Sequence, residues 1–197
     1  VSGFSLLGAL STDNDDPPAA SRPFDVSRGG FVLGEGGAAL ILETEDHARS
    51  RGTSILCELA GYGSASDGFK ITACDREGRW LSEAMRNALA DGGMAPSDVD
   101  YVNAHGTGTR LNDVAEARAI RAVLGDRARA VWVNSTKSML GHTVAAAGAI
   151  EAVVTVKSIE KGVCHPTRNL CHPEPGLELN LCGQSAVRCD IRGALSN

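Results

Sequence analysis

Residues 99–150 hold two blocks, V-N-A-H-G-T-G-T at 102–109 and N-S-T-K-S-M-L-G-H-T at 134–143. The first reads as a strand over 99–104 that breaks into a glycine-rich turn with His105 at its mouth. A turn at the carboxyl end of a strand is where α/β proteins place chemistry. The second opens on the apolar run 131–133, crosses a turn containing Lys137, and delivers His142 just before an alanine-rich helix. With His142 or Thr143 near the N-cap, the positive helix end would disfavour an imidazolium. A neutral imidazole that donates one N–H is a good partner for a developing oxyanion. One histidine beside glycines is usually structural; a pair in two Gly/Thr turns, with a lysine between them, points to catalysis.

Working outward, 197 residues and a 43% hydrophobic content suit one medium globular domain, provided its sheet is complete. No apolar run reaches membrane-span length, and residues 1–12 lack the basic region and cleavage site of a signal peptide, so a cytoplasmic location is expected. A net charge of −5 and 4% aromatic residues speak against a nucleic-acid partner. Cys57, Cys74, Cys164, Cys171, Cys182 and Cys189 show no paired framework and are read as reduced.

Residues 13–20, D-N-D-D-P-P-A-A, form a surface loop by composition. R-G-G-F-V-L-G-E-G-G at 28–37 lacks the G-K-[ST] ending of a phosphate-binding loop. Strands are expected at 38–42, 55–62 and 186–191, with another beginning at 194. Helices are expected at 43–51, 76–93, 111–124 and 144–159. The 111–124 helix would bury Val114, Ala117, Ile120 and Leu124 and turn Arg118 and Arg121 to solvent. The small-residue opening of the 144–159 helix is expected to be buried, and Glu151 on it would need a cation, for which Lys137 is the candidate. C-H-P recurs at 164–166 and 171–173, but adjacent residues of extended chain point to opposite sides, which argues against a zinc site.

The H-G-T-G-T block, the K-S-x-x-G-H block and the A-A-G-A-I-E-A run at 146–152 resemble, in order and spacing, the β-ketoacyl-acyl carrier protein synthases, condensing enzymes of the thiolase-like superfamily. The likeness extends from G-F-S-L-L-G-A-L-S-T at 3–12, through S-R-P-F-D at 21–25 and P-T-R-N-L-C-H-P-E-P at 166–175, to Ser196 and Asn197. It implies a layered αβαβα α/β fold. Residues 1–42 would be the end of its first half, and 43–197 its second half without a final glycine-rich segment.

The implied reaction is a decarboxylative Claisen condensation of malonyl-carrier protein with a cysteine-bound acyl group, in fatty acid or polyketide synthesis. His105 and His142 match the family's histidine pair, and Lys137 with Glu151 its lysine and glutamate. Thr107 and Thr109 match the threonines that bind the pantetheine arm. Asn103, Glu151, Ser196 and Asn197 match positions that surround a structural sodium or potassium ion in some relatives. No other cofactor is implied, because the phosphopantetheine arrives on the carrier.

T-A-C-D at 72–75 only imitates the family's T-A-C-S-S nucleophile block, since by chain order it falls well downstream of it. The nucleophilic cysteine is therefore expected on another segment or chain, and 197 residues without it should neither fold as a whole thiolase-like domain nor condense alone. An acyl carrier protein and a ketosynthase dimer complete the implied partners. The alternative is a non-catalytic partner of the chain-length-factor type, or an interaction module. A serine–lysine hydrolase fails because Asn134 stands three residues before Lys137, and a degradative thiolase would use a further cysteine near its C-terminus.

Overall fold

The computed structural model describes residues 2–69 and 73–197; Val1 and Thr72, the first residue of the T-A-C-D block, lie outside the described residues. The chain opens with α1 (Ser2–Leu6), and a 3-10 turn at Pro17–Ala19 interrupts the expected surface loop. Thr44 caps α2 (Glu45–Ser50), its hydroxyl accepting the His47 N–H at 3.3 Å. Next comes α3 (Arg79–Asp91), which buries Ser82, Met85 and Leu89 at helical spacing.

β1 (Tyr101–Asn103) feeds α4 (Arg110–Leu124), and β2 (Trp132–Asn134) feeds α5 (Lys137–Leu140) and then α6 (Ala147–Lys161). Gly162, in the left-handed conformation at φ 60°, stops α6 and turns the chain into β3 (Val163–Cys164). β4 (Asn180–Leu181), β5 (Val187–Arg188) and β6 (Ala194–Ser196) follow. One sheet runs β4-β2-β1-β6, parallel throughout, and β3 pairs antiparallel with β5.

Successive residues of β1 point to opposite faces, and both faces are covered. Val102 packs with Met85 and Leu89 of α3 and Ile120 and Leu124 of α4, whereas Tyr101 packs with Cys164, Cys182, Ile191 and, on α6, Ile159. Burying each such aliphatic side chain stabilises by roughly 1.5–3 kcal/mol. The sheet is thus sandwiched between α3 and α4 on one side and α6 on the other. At its carboxyl edge, Asn103 stands opposite both Asn134 and Ser196. That row of polar side chains lies where the turns bearing His105 and Lys137 leave the strands.

Several sequence expectations change. Residues 38–42 and 55–62 form no ladder, and Leu40, Ile41, Leu42, Ile55, Leu56 and Leu59 are exposed, Ile41 at 88%. Strand propensity is local but a ladder needs a neighbour, and among the described residues neither segment has one. Instead residues 61–63 lie along α3: a Cβ on Gly63 would meet Ala84 O at 2.0 Å. The 144–159 helix begins as a 3-10 turn at Val144–Ala146, so neither His142 nor Thr143 caps α6. Its opening is not buried either, since Val144, Ala145 and Gly148 are exposed while Ala147, Glu151, Thr155 and Ser158 face inward. The buried residues of α6 lie on the stripe turned to the sheet. On α4 the inward face is wider than expected and includes Asp113 and Glu116, both fully buried, with Val114 only half-buried. Of 186–191 only Val187 and Arg188 pair, whereas 194–196 forms β6 as read.

Candidate active site

Beyond β1 the chain keeps one more ladder-like bond, Ala104 N–H to Asn134 O at 2.8 Å, and then turns. The turn is held from below by α4. Glu116 accepts the backbone N–H of His105 at 2.7 Å on one carboxylate oxygen and that of Gly106 at 2.8 Å on the other. The Asn197 amide adds a third donor at 3.0 Å. One turn earlier, Asp113 accepts Gly108 N–H at 3.1 Å and Phe24 N–H at 2.8 Å, with the buried Arg28 guanidinium 3.3 Å away. Burial lifts the Asp113 carboxyl to about 6, against the Phe24 N–H and Arg28, which lower it. Gly106 has no room for a side chain: a Cβ there would lie 2.6 Å from Ser135 Cβ, and its φ of +41° is itself unfavourable to other residues.

The second histidine is mounted differently. After β2 the turn enters α5, whose first residue, Lys137, is 2% exposed and paired with Glu151 on α6, also 2% exposed. His142 then joins the 28–37 segment, giving its N–H to Val32 O at 2.7 Å and accepting Gly34 N–H at 3.1 Å. Its ring lies edge-to-face against Phe31, 5.0 Å between centroids, and against His105 at 5.4 Å and 86°. Val144 N–H points at His142 Nδ1 from 3.2 Å, with Val144 at φ 53°, a costly conformation for a β-branched residue. Because Nδ1 accepts, a neutral His142 carries its proton on Nε2.

Both imidazoles are held neutral. His105 falls to about 3 through desolvation first, then through Lys137 and His142, and His142 is lowered by desolvation and Lys137. The sequence reading gave this role to a helix end at His142, and burial with the Lys137 charge performs it instead. Desolvation raises the Glu151 carboxyl, while the Lys137 ammonium opposes it.

Thr107 and Thr109 sit on the same turn with their hydroxyls 3.0 Å apart. Asn103 stands opposite Ser196 across the sheet, accepts Asn197 N–H on its carbonyl at 3.1 Å and donates from Nδ2 to Glu151 O at 3.4 Å. The Glu151 carboxylate is already engaged by the Lys137 ammonium. A sodium or potassium ion held by these residues would have to share that carboxylate with Lys137. Cys74 is half-buried, and burial and the charges of Asp67, Asp75 and Glu116 raise its thiol pKa, which disfavours a thiolate nucleophile. Cys164 is buried beside Cys182 while Cys171 is exposed, and among the described residues no three His, Cys, Asp or Glu side chains gather as a ligand set. Glu116, Asp113 and Arg28 escaped the sequence reading; the available signal was two acids recurring on the inward stripe of α4 beside a turn rich in N–H groups.

Residues 56–171 match the family described as Beta-ketoacyl synthase, C-terminal domain, and residues 1–48 match Beta-ketoacyl synthase, N-terminal domain. The chain belongs to the β-ketoacyl synthase family. It is 44% identical over its whole length to 3-oxoacyl-[acyl-carrier-protein] synthase 2 of Coxiella burnetii and 42% to that of Vibrio harveyi, covering 48% of each. This chain thus spans about half the length of these synthases. Similar solved structures include a type II PKS acyl-carrier protein in complex with its ketosynthase bound to the hexaketide, at TM-score 0.93 and 40% identity over 99% of this chain and 48% of that one. The ishigamide ketosynthase/chain length factor matches at TM-score 0.91 and 37% identity, over 100% of this chain and 46% of that one. The α/β sandwich around its parallel sheet is accordingly a part of the thiolase-like fold.

Proposed function

We infer that this chain supplies the histidine, lysine and glutamate machinery of a β-ketoacyl synthase, an acyltransferase that joins malonyl-carrier protein to a cysteine-bound acyl group. The observation that carries the reading is the pair of neutral imidazoles, 5.4 Å apart between ring centroids, both under the charge of Lys137 in its buried pair with Glu151. Loss of carbon dioxide from the malonyl thioester leaves an enolate, whose carbon attacks the acyl carbonyl. The new carbon–carbon bond forms as the cysteine thiolate departs. Negative charge collects on the thioester oxygen, where His142 Nε2–H and the His105 ring N–H would donate in a site shielded from water. Lys137 and Glu151 would fix and polarise the pair from beneath, and Thr107 and Thr109 would hold the pantetheine arm.

The nucleophilic cysteine would come from another segment or chain. The substrate-bearing partner would be an acyl carrier protein, the assembly a ketosynthase dimer, and its place the cytoplasm. No resident cofactor is needed, because the phosphopantetheine travels with the carrier. The decisive experiment introduces His105→Ala into the assembly that contains the cysteine-bearing segment. Malonyl decarboxylation and condensation should fall by about 10²–10³-fold, as on removing an oxyanion donor. Unchanged rates would overturn the catalytic reading and leave a non-catalytic partner of the chain-length-factor type.

A further inference from the structure

The C-H-P stretch at 164–166 has no part in the reaction above, yet it meets the turn that carries Lys137. His165 Nδ1 lies 2.9 Å from Pro166 O, and a carbonyl can only accept, so Nδ1 carries the ring proton. His165 is partly buried and its pKa is lowered by desolvation, which favours a neutral ring with a bare Nε2. Thr136 Oγ1 stands 3.0 Å from that nitrogen. The threonine has one hydroxyl proton, and Nε2 can take it only as an acceptor. Thr136 is therefore left as an acceptor on its other side, where Asn103 Nδ2 meets it at 3.0 Å. The same Asn103 amide reaches Glu151 O and Thr155 Oγ1, each at 3.4 Å.

Thr136 is the residue immediately before Lys137, and the far end of this series rests on the backbone of Glu151. We propose that His165 is a positioning residue for the Lys137–Glu151 pair, acting through a one-way hydrogen-bond chain in which Asn103 donates to Thr136 and Thr136 donates to His165. Neighbouring bonds brace the same turn from the same segment: Ser135 N–H donates to Thr167 Oγ1 at 3.2 Å, and Arg168 N–H to Ser138 Oγ at 2.9 Å. These fix where the turn runs. The His165 chain fixes which way its buried hydroxyl points, and thereby which face of Asn103 is turned to Glu151. Without an acceptor at Nε2, the Thr136 proton is free to swing toward Asn103 Oδ1, 3.2 Å away, and the Asn103 amide loses its fixed sense.

The proposal takes Lys137 and Glu151 as functional groups from the reading above, but its test reads hydrogen bonding and not turnover, so the two fail separately. Long-range ¹H–¹⁵N correlations at neutral pH, with this chain labelled in the assembly that contains the cysteine-bearing segment, should show His165 protonated on Nδ1 and bare on Nε2. A ring protonated on Nε2 would overturn the proposal. Next, the Glu151 carboxyl is titrated by ¹³C NMR in two variants. His165→Phe, which has no acceptor, should loosen the pair and raise the Glu151 pKa further, by about half a unit or more. His165→Gln sets an amide oxygen near the Nε2 position and should titrate as the unaltered chain does. If the phenylalanine variant does not fold, His165→Asn, which mimics only the Nδ1 side, takes its place with the same expected shift. Equal titration of the acceptor-less and glutamine variants would show that His165 merely fills space.

Discussion

His105 and His142 meet edge-to-face, but the fold holds them by opposite means. His105 is held through its backbone: a side chain from a helix, Glu116, clamps the main chain, and the ring takes its position from the turn. His142 is held through main-chain bonds to Val32 and Gly34, with its ring then addressed by the Val144 N–H. The first mount rests on a buried charge, the second on backbone geometry. The first is therefore vulnerable to changes that remove a charge, and the second to changes that alter φ. Lys137 serves both rings at once, since its charge lowers the proton affinity of each.

The largest expected effect comes from removing that shared element. Lys137→Met leaves Glu151 buried without its cation and should cost about 3–5 kcal/mol in urea unfolding. Adding Glu151→Leu should recover most of the loss. A double variant as unstable as the single one would show that the pair is not the source of the cost. Second in size, Glu116→Gln replaces a double acceptor by a group with one acceptor and one donor, so one of the His105 and Gly106 N–H groups is left facing a donor. A loss of about 1–3 kcal/mol is expected, with displaced amide signals for residues 105–106 and little change at His142. Equal disturbance of both rings would mean that the two mounts are not independent.

The smallest effect is on titration. Both rings should be neutral at pH 7, and lowering the pH should charge His142 before His105 in ring-proton NMR. The folded-state pKa of His105, about 3, lies below its ordinary value of 6.5, so on acidification the unfolded chain binds the proton first. The stability this residue contributes is full above about 6.5 and is lost as the pH falls toward 3. A His105 that titrates above His142 would reverse the assignment of depth.

Much of this site was legible because its chemistry is compressed into short blocks. His105, Lys137 and His142 each stand at a break between a periodic run and a glycine, and the Lys137–Glu151 pair followed from the cost of burying a lone carboxylate. Glu116 was harder. On a helical wheel it shares the inward stripe with Ile120, and what calls for a carboxylate there is a turn ten residues earlier whose N–H groups have no other partner among the described residues. The two failed strands show the converse limit. Residues 38–42 and 55–62 have good strand composition, but pairing depends on a neighbour that composition cannot supply. The Val144 contact to His142 was invisible for a similar reason, since no residue-type rule places a valine at positive φ.

The unladdered A-A-L-I-L run at 38–42 has a practical consequence in the test tube. Five uncharged residues are exposed together, with their backbone outside any sheet, which is the kind of segment that recruits a copy of itself into intermolecular β-structure. Acids at its borders, Glu35 and Glu43, act as gatekeepers, but the nearer one is engaged by Arg51. Turbidity of the isolated chain should therefore rise with concentration and with salt, and a lysine in place of Ile41 should suppress it without touching either histidine.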